Sequence, residues 1–329
     1  PRRLIHDGII SARVKLGTSE AFTMKLGFLT ACLPDRSLEQ VAAWASSHSY
    51  GALEVAAWPT VGGRSHTAAH VNVENLTATV AQSVGELFQK YDLTLSSLAF
   101  YENNLHPDPR TRSHLHDHLR RCLDAAALLQ CPTVGTFIGR DPERSVEQNR
   151  ADAEKVFAPF IDRAKSLGVT IVIENCPMPG WHPDGYPGNI AYSPQLWDWM
   201  ISLGLELNFD PSHLAWLGID PIEAARAYIG HIHHIQAKDV EISLAGRNTY
   251  GIYGTALDRQ DPWDSGWWQY RIPGLGEINW NKLIDTLYAG GYDGVISVEH
   301  EDPIWSGTAE RIEDGLILAQ RELSRYILR

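Results

Sequence analysis

The strongest constraint on this chain is an alternation. From Met24 onward, short β-rich runs take turns with longer amphipathic ones, the order produced by repeated βα units around a parallel sheet. The short runs are KLGFLT (25–30), ALEVAAW (52–58), TLSSLAFY (94–101), TVGTFIG (133–139), TIVIENC (170–176), LELNFD (205–210), HIHHIQAKD (231–239) and GVISVEHE (294–301). Between them lie stretches such as SLEQVAAWASS, NLTATVAQSVGELFQKY and TAERIEDGLILAQRELSRYIL, several opening on Ser, Thr or Asn with a carboxylate in the first turn, the signal of a helix start. Eight such units predict a TIM (β/α)8 barrel, with a doubly wound sheet as the weaker alternative.

Composition narrows the partners. A formal net charge of −12 with no Lys/Arg-rich run argues against nucleic acid and anionic membrane and favours small neutral substrates. Cys32, Cys122, Cys131 and Cys176 stand far apart with no C-x-x-C pair, so neither a structural zinc nor a disulfide framework is expected, and a reducing cytoplasm fits. No apolar run reaches the ~18 to 20 residues of a membrane span. Residues 1–23 carry basic residues without the apolar core of a signal peptide. They read as an extension ahead of a single catalytic domain over 24–329.

The seventh run carries unusual chemistry. In HIHHIQAKD, strand alternation puts His234, Gln236 and Lys238 on one face and His231 and His233 on the other. The connection that follows, through DPWDSGWWQYRIPGLGEIN, is far longer than an ordinary βα loop; connections of that length tend to be functional, and a lid over the barrel mouth is expected.

A barrel of this type works at the C-terminal ends of its strands. Glu174, Asp210 and Glu299 end the fifth, sixth and eighth runs, and Gln236 lies near the end of the seventh. Unpaired carboxylates at one buried point repel and raise one another's pKa, so a positive partner is expected. Oxygen donors of this kind suit a hard divalent cation, Mn2+ or Mg2+, more than Zn2+. For Asp210 an equally good reading is the N-cap of the next helix, since DPSH follows, and for Gln236 alone a satisfied buried amide is the ordinary one.

The segments IVIENCPM, NFDPSHLAW, HHIQAKD, PGLGEINW and GYDGVISVEHEDP resemble the sugar phosphate isomerase/epimerase proteins, the xylose isomerase-like TIM barrels. The resemblance runs from about Met24 to the C-terminus. It implies one divalent metal, Mn2+ first with Mg2+ or Co2+ as alternatives, on Glu174, Asp210, Gln236 and Glu299. The family's H-x-H-x-K-D reads His234, Ile235, Gln236, Ala237, Lys238, Asp239 here, so an amide stands where the second histidine is usual. The resemblance further implies an acid/base pair in Glu174 and Glu299, with His213 and Lys238 steadying substrate hydroxyls. His182 and Arg271 are further candidates for substrate oxygens, against the plainer reading of solvated surface.

Two reactions fit this resemblance. One is isomerisation or epimerisation of a keto-sugar by proton transfer next to its carbonyl. YRIPGLGEINW and SVEHEDP are also similar to the catalytic subunits of bacterial C-glycoside deglycosidases, lyases of 3-oxo-glycosides that work with a smaller β-rich partner subunit. There Trp263, Trp267, Trp268 and Tyr270 would stack on an aryl aglycone, or else pack the lid or a subunit interface. An oligomer is expected in either case. A third reading, a sugar-binding barrel without turnover, rests on Gln236.

Overall fold

A computed structural model describes residues 24–60, 68–182, 185–252 and 265–328; the extension read over 1–23, and Trp263, lie outside the described residues. Eight parallel strands close into a barrel. They are β1 (Lys25–Leu29), β2 (Ala52–Ala56), β3 (Thr94–Ala99), β4 (Thr133–Thr136), β5 (Thr170–Glu174), β6 (Glu206–Phe209), β7 (Ile232–Ala237) and, after the two strands of an arm, β8 (Asp239–Ile242) and β9 (Trp268–Arg271), the last barrel strand β10 (Val295–Val298). Their order around the barrel is β1-β10-β7-β6-β5-β4-β3-β2, and the eight predicted runs each supply one strand.

Parallel strands covered on both faces read as continuous apolar runs. In β2 all five residues are buried. Closure needs close backbone approach at β1, where a Cβ on Gly27 would stand 2.8 Å from Ala52 O. The connecting helices are α1 (Leu38–Ser47), α2 (Ala78–Lys90), α3 (Pro109–Leu128), α4 (Val146–Leu167), α5 (Pro194–Leu203), α6 (Pro211–Leu217), α7 (Pro221–Tyr228), α8 (Leu244–Tyr250), α9 (Trp280–Ala289) and α10 (Ala309–Leu323). Their starts follow the sequence signals: Ser37 with Gln40, and Ser145 with Gln148, form reciprocal capping boxes. The inward stripe of α3, with Leu119, Cys122, Leu123 and Ala126, is buried against the sheet. No helix among the described residues is long and apolar enough to cross a membrane.

Part of the barrel interior is polar. His234 faces Asn208 Oδ1 through Nδ1 at 3.0 Å and Ser96 Oγ through Nε2 at 3.1 Å. Asn208 donates to the Tyr101 hydroxyl at 2.7 Å, and that hydroxyl donates to Glu54. Ser297 Oγ donates to the other Glu54 oxygen at 2.9 Å. The inward face of β7 therefore joins a connected hydrogen-bond chain beneath the mouth, while His233 points outward and is 43% exposed.

The long connection after β7 folds, in its described parts, into an antiparallel β8–β9 pair with α8 between them. Two carboxylates pin its root. Asp239 accepts from the backbone N–H of Val240, Gly274 and Ile278 and from Trp280 Nε1, all at 2.9–3.0 Å. Asp302 accepts from Arg271 Nε and Ile272 N at 2.9 Å.

Candidate active site

The site follows from where β5, β6, β7 and β10 end. Glu174, the last residue of β5, is 2% exposed, and its Oε1 lies 3.1 Å from His213 Nε2. Asp210 follows β6 and caps α6: Oδ1 accepts from Ser212 N at 2.7 Å and Ser212 Oγ at 2.6 Å. Its Oδ2 is buried and accepts no hydrogen bond, with His213 Nε2 and Lys238 Nζ each 3.3 Å away. The two readings of Asp210 thus use different oxygens of one carboxylate.

Glu299 is set just past β10, its N–H donating to Ala237 O at 3.1 Å. One carboxylate oxygen from each of Glu174, Asp210 and Glu299 lies within 4.8 Å of the others. Lys238 Nζ stands among them, 2.5 Å from Glu299 and 3.0 Å from Glu301, under the Tyr270 ring at 4.4 Å.

One ammonium cannot balance four carboxyl groups if all are ionised, and their titration reflects this. Burial and the neighbouring Glu299 hold Glu174 well above the usual carboxylate range. Burial raises Asp210 against the pull of Lys238, and burial, helped by Glu301 and opposed by Lys238, pushes Glu299 up to about 8. Burial works to lower Lys238, but Glu299, Glu301 and Asp210 outweigh it and hold the ammonium charged. Burial, with Lys238 nearby, keeps His213 neutral, well below its ordinary value.

Gln236 is fully buried. Its Nε2 donates to Glu54 Oε1 at 3.4 Å, and its Oε1 has no hydrogen-bond partner. Gln236 Oε1 without a partner, and Asp210 Oδ2 with only the Lys238 ammonium and the His213 ring at 3.3 Å, are oxygens that an oxygen-binding divalent cation would satisfy. The convergent carboxyl groups of Glu174, Asp210 and Glu299 fit such an ion, and Gln236 Oε1 is an oxygen of the same donor type.

The other predicted residues are distributed differently. Trp268 stacks on Trp216 of α6 at 4.7 Å and Trp267 meets the same ring edge-on at 6.2 Å. Tyr270 ties this cluster to the site, its hydroxyl 3.2 Å from His213 Nδ1. Arg271 pairs with Glu241 and Asp302 at the root of the arm. His182 sits in the β5–α5 loop with its ring against Tyr186 at 5.2 Å.

Two participants escaped the reading of the sequence. Glu54 was hidden inside ALEVAAW, where a carboxylate in an otherwise apolar strand was the available signal. Glu301 lies two residues beyond Glu299 in the EHE run past β10, and reaches Lys238 Nζ at 3.0 Å. The Tyr101 hydroxyl reaches Glu54 because β4 carries Gly135 opposite it: a Cβ there would lie 2.3 Å from that oxygen.

A closed eight-stranded barrel with carboxylates at successive strand ends defines a class, and the chain belongs to it: the xylose isomerase-like TIM barrel family, whose model matches residues 42–321. Among relatives, it is 27% identical over 309 residues to the uncharacterized protein YfiH of Bacillus subtilis, covering 85% of this chain and 93% of that one. It is 29% identical over 100 residues to an inosose dehydratase of Geobacillus thermodenitrificans, covering 30% of this chain and 32% of the relative. The IolI protein with a bound zinc atom superposes with a TM-score of 0.66 at 18% identity, over 93% of this chain and 100% of that one. The E. coli 3-keto-D-glucoside 4-epimerase YcjR gives 0.61 at 12% identity, over 91% and 100%. At these identities the structural likeness is one of fold.

Proposed function

We propose that this chain is a divalent-metal-dependent isomerase or epimerase that moves a proton at the carbon next to the carbonyl of a keto-sugar. The observation that carries the reading is the convergence of Glu174, Asp210 and Glu299 within 4.8 Å. The names of the relatives, a dehydratase of a keto-cyclitol and an epimerase of a keto-glucoside, support the same class of substrate. When bound, the cation polarises the sugar carbonyl and its neighbouring hydroxyl, and the oxygen-rich donor set favours Mn2+.

The remaining work falls to the chain's own residues. Glu174 and Glu299 approach the substrate from different strands, each with one oxygen engaged, by His213 and by Lys238 respectively. One removes the proton and the other returns it. Carboxyl groups raised toward neutrality are suited to this, because a general acid or base works best with a pKa near the operating pH. Lys238 donates to the substrate oxygen on which negative charge develops, and the buried walls exclude water. Incubating the metal-loaded protein with keto-sugars and 3-oxo-glycosides in D2O tests the reading. Deuterium uptake next to the carbonyl is expected; its absence across the panel refutes the function.

A second reading has its own observation. Trp216, Trp268 and Tyr270 form a continuous aromatic wall that reaches Lys238 and His213. It suits an aryl aglycone expelled from C1 of a 3-oxo-glycoside after the same proton abstraction, the lyase reaction of a C-glycoside deglycosidase. Release of aglycone in the same experiment selects this reaction over epimerisation.

A further inference from the structure

We propose that Glu174, Cys176 and His213 form a second metal-binding arrangement, one that takes a thiophilic divalent cation such as Zn2+ or Co2+ and is separate in donor chemistry from the oxygen set. The inference goes beyond the reaction proposed above and does not depend on it. All three side chains are buried, and one ligand atom from each lies within 4.8 Å of the others. A thiol, an imidazole and a carboxylate with one open position make up the donor set of three-ligand tetrahedral zinc sites. In such a shell the ligand atoms stand about 3.4 to 3.6 Å apart, from metal distances of roughly 2.0 to 2.3 Å. His213 Nε2 and Glu174 Oε1, at 3.1 Å, are already close to that spacing; Cys176 Sγ, within 4.8 Å of a ligand atom of each, donates to Met178 Sδ at 3.3 Å and would exchange that contact for the metal.

The surroundings fix the orientation of the imidazole and the thiol. His213 turns Nε2 toward the cluster while Nδ1 meets the Tyr270 hydroxyl at 3.2 Å, the outer hydrogen bond that orients a ligating histidine. Met178 N donates to Cys176 Sγ at 3.4 Å, from a backbone held in the left-handed region at φ 49°. A buried oxygen beside the cluster also points to a ligand: Asp210 Oδ2 accepts no hydrogen bond and lies 3.3 Å from both His213 Nε2 and the Lys238 ammonium. Binding replaces the S–H bond by an S–metal bond and releases the proton to solvent. Glu174 belongs to both arrangements, so a soft cation here withdraws it from the oxygen set.

The test uses the whole chain, stripped of metal and titrated with Co2+ under reducing conditions. One equivalent is expected to give a near-ultraviolet thiolate-to-cobalt charge-transfer band. Cys176→Ser is expected to abolish that band and weaken Co2+ binding about tenfold or more while leaving Mn2+ binding within about twofold, since Mn2+ prefers oxygen. Cys32→Ser is expected to keep the band. If Cys176→Ser fails to fold, X-ray absorption on the wild-type zinc form decides, through a sulfur neighbour at about 2.3 Å. A wild-type protein that binds Co2+ without the band, a band surviving in Cys176→Ser, or a zinc shell without sulfur overturns the proposal.

Discussion

On the β3–β4 side of the barrel mouth, Asn103 commits its amide wholly to the chain. Its Oδ1 accepts from Leu105 N at 3.0 Å and Arg140 N at 2.9 Å, and its Nδ2 donates to Arg140 O at 2.8 Å. His118 reaches Ala57 O through Nε2 at 2.7 Å and leaves Nδ1 without a hydrogen bond. On the side formed by β5, β6, β7 and β10, Asp210 and Gln236 each keep a buried oxygen without a hydrogen bond, and carboxylates crowd one lysine. Both halves bury polar atoms without partners, Asn104 Oδ1 and His118 Nδ1 on the first, but the second sets its own beside three carboxyl groups that converge within 4.8 Å, where desolvation is most costly. That difference separates the half that builds the mouth from the half to which we assign the chemistry.

The largest expected effect tests the second half directly. Glu174→Gln and Glu299→Gln each keep an oxygen donor but lose basicity, so turnover should fall by about 10²- to 10⁴-fold while metal content, read by elemental analysis, changes far less. Near-normal turnover in both would erase the proposed distinction. Next comes Glu54→Gln, which replaces an acceptor-only group beneath Gln236 with one that also donates. If Glu54 orients that amide, Mn2+ affinity measured by titration calorimetry should drop by about 10- to 100-fold.

On the structural side, Asn103→Ala strands two backbone N–H groups and one carbonyl. It should cost about 2 to 3 kcal/mol in denaturant unfolding with the KM of the active enzyme unchanged; a raised KM would move Asn103 into the site. The smallest effect is in pH. Burial lowers His118 below its usual 6.5 despite the bond to Ala57, so the unfolded chain binds the proton more readily than the folded one. This contribution is present above pH 6.5 and is lost as pH falls below it. Stability should therefore decline on the acid side in wild type and decline less steeply in His118→Gln.

The barrel was readable because parallel strands buried on both faces leave unbroken apolar runs, and the strand-end carboxylates stand out against them. How those carboxylates divide was not readable. Asp210, Asp239 and Asp302 look alike in the chain, yet Asp239 and Asp302 spend their oxygens on pinning the arm while Asp210 divides its two between helix and site. Such allocation depends on which N–H groups three-dimensional folding brings near, often from more than thirty residues away. The β8–β9 pair was hidden for a related reason: its strands are joined through a long insertion, so no short turn announces a hairpin.

Lys238, the ammonium at the centre of the carboxylates, is followed immediately by Asp239, the clamp at the root of the arm. Tyr270, carried on β9 of that arm, covers the same ammonium and meets His213. The arm is therefore wired into the site at both its ends, through one peptide bond and through one ring. A change at Tyr270 would reach the ammonium and the imidazole together, since one side chain supplies both contacts.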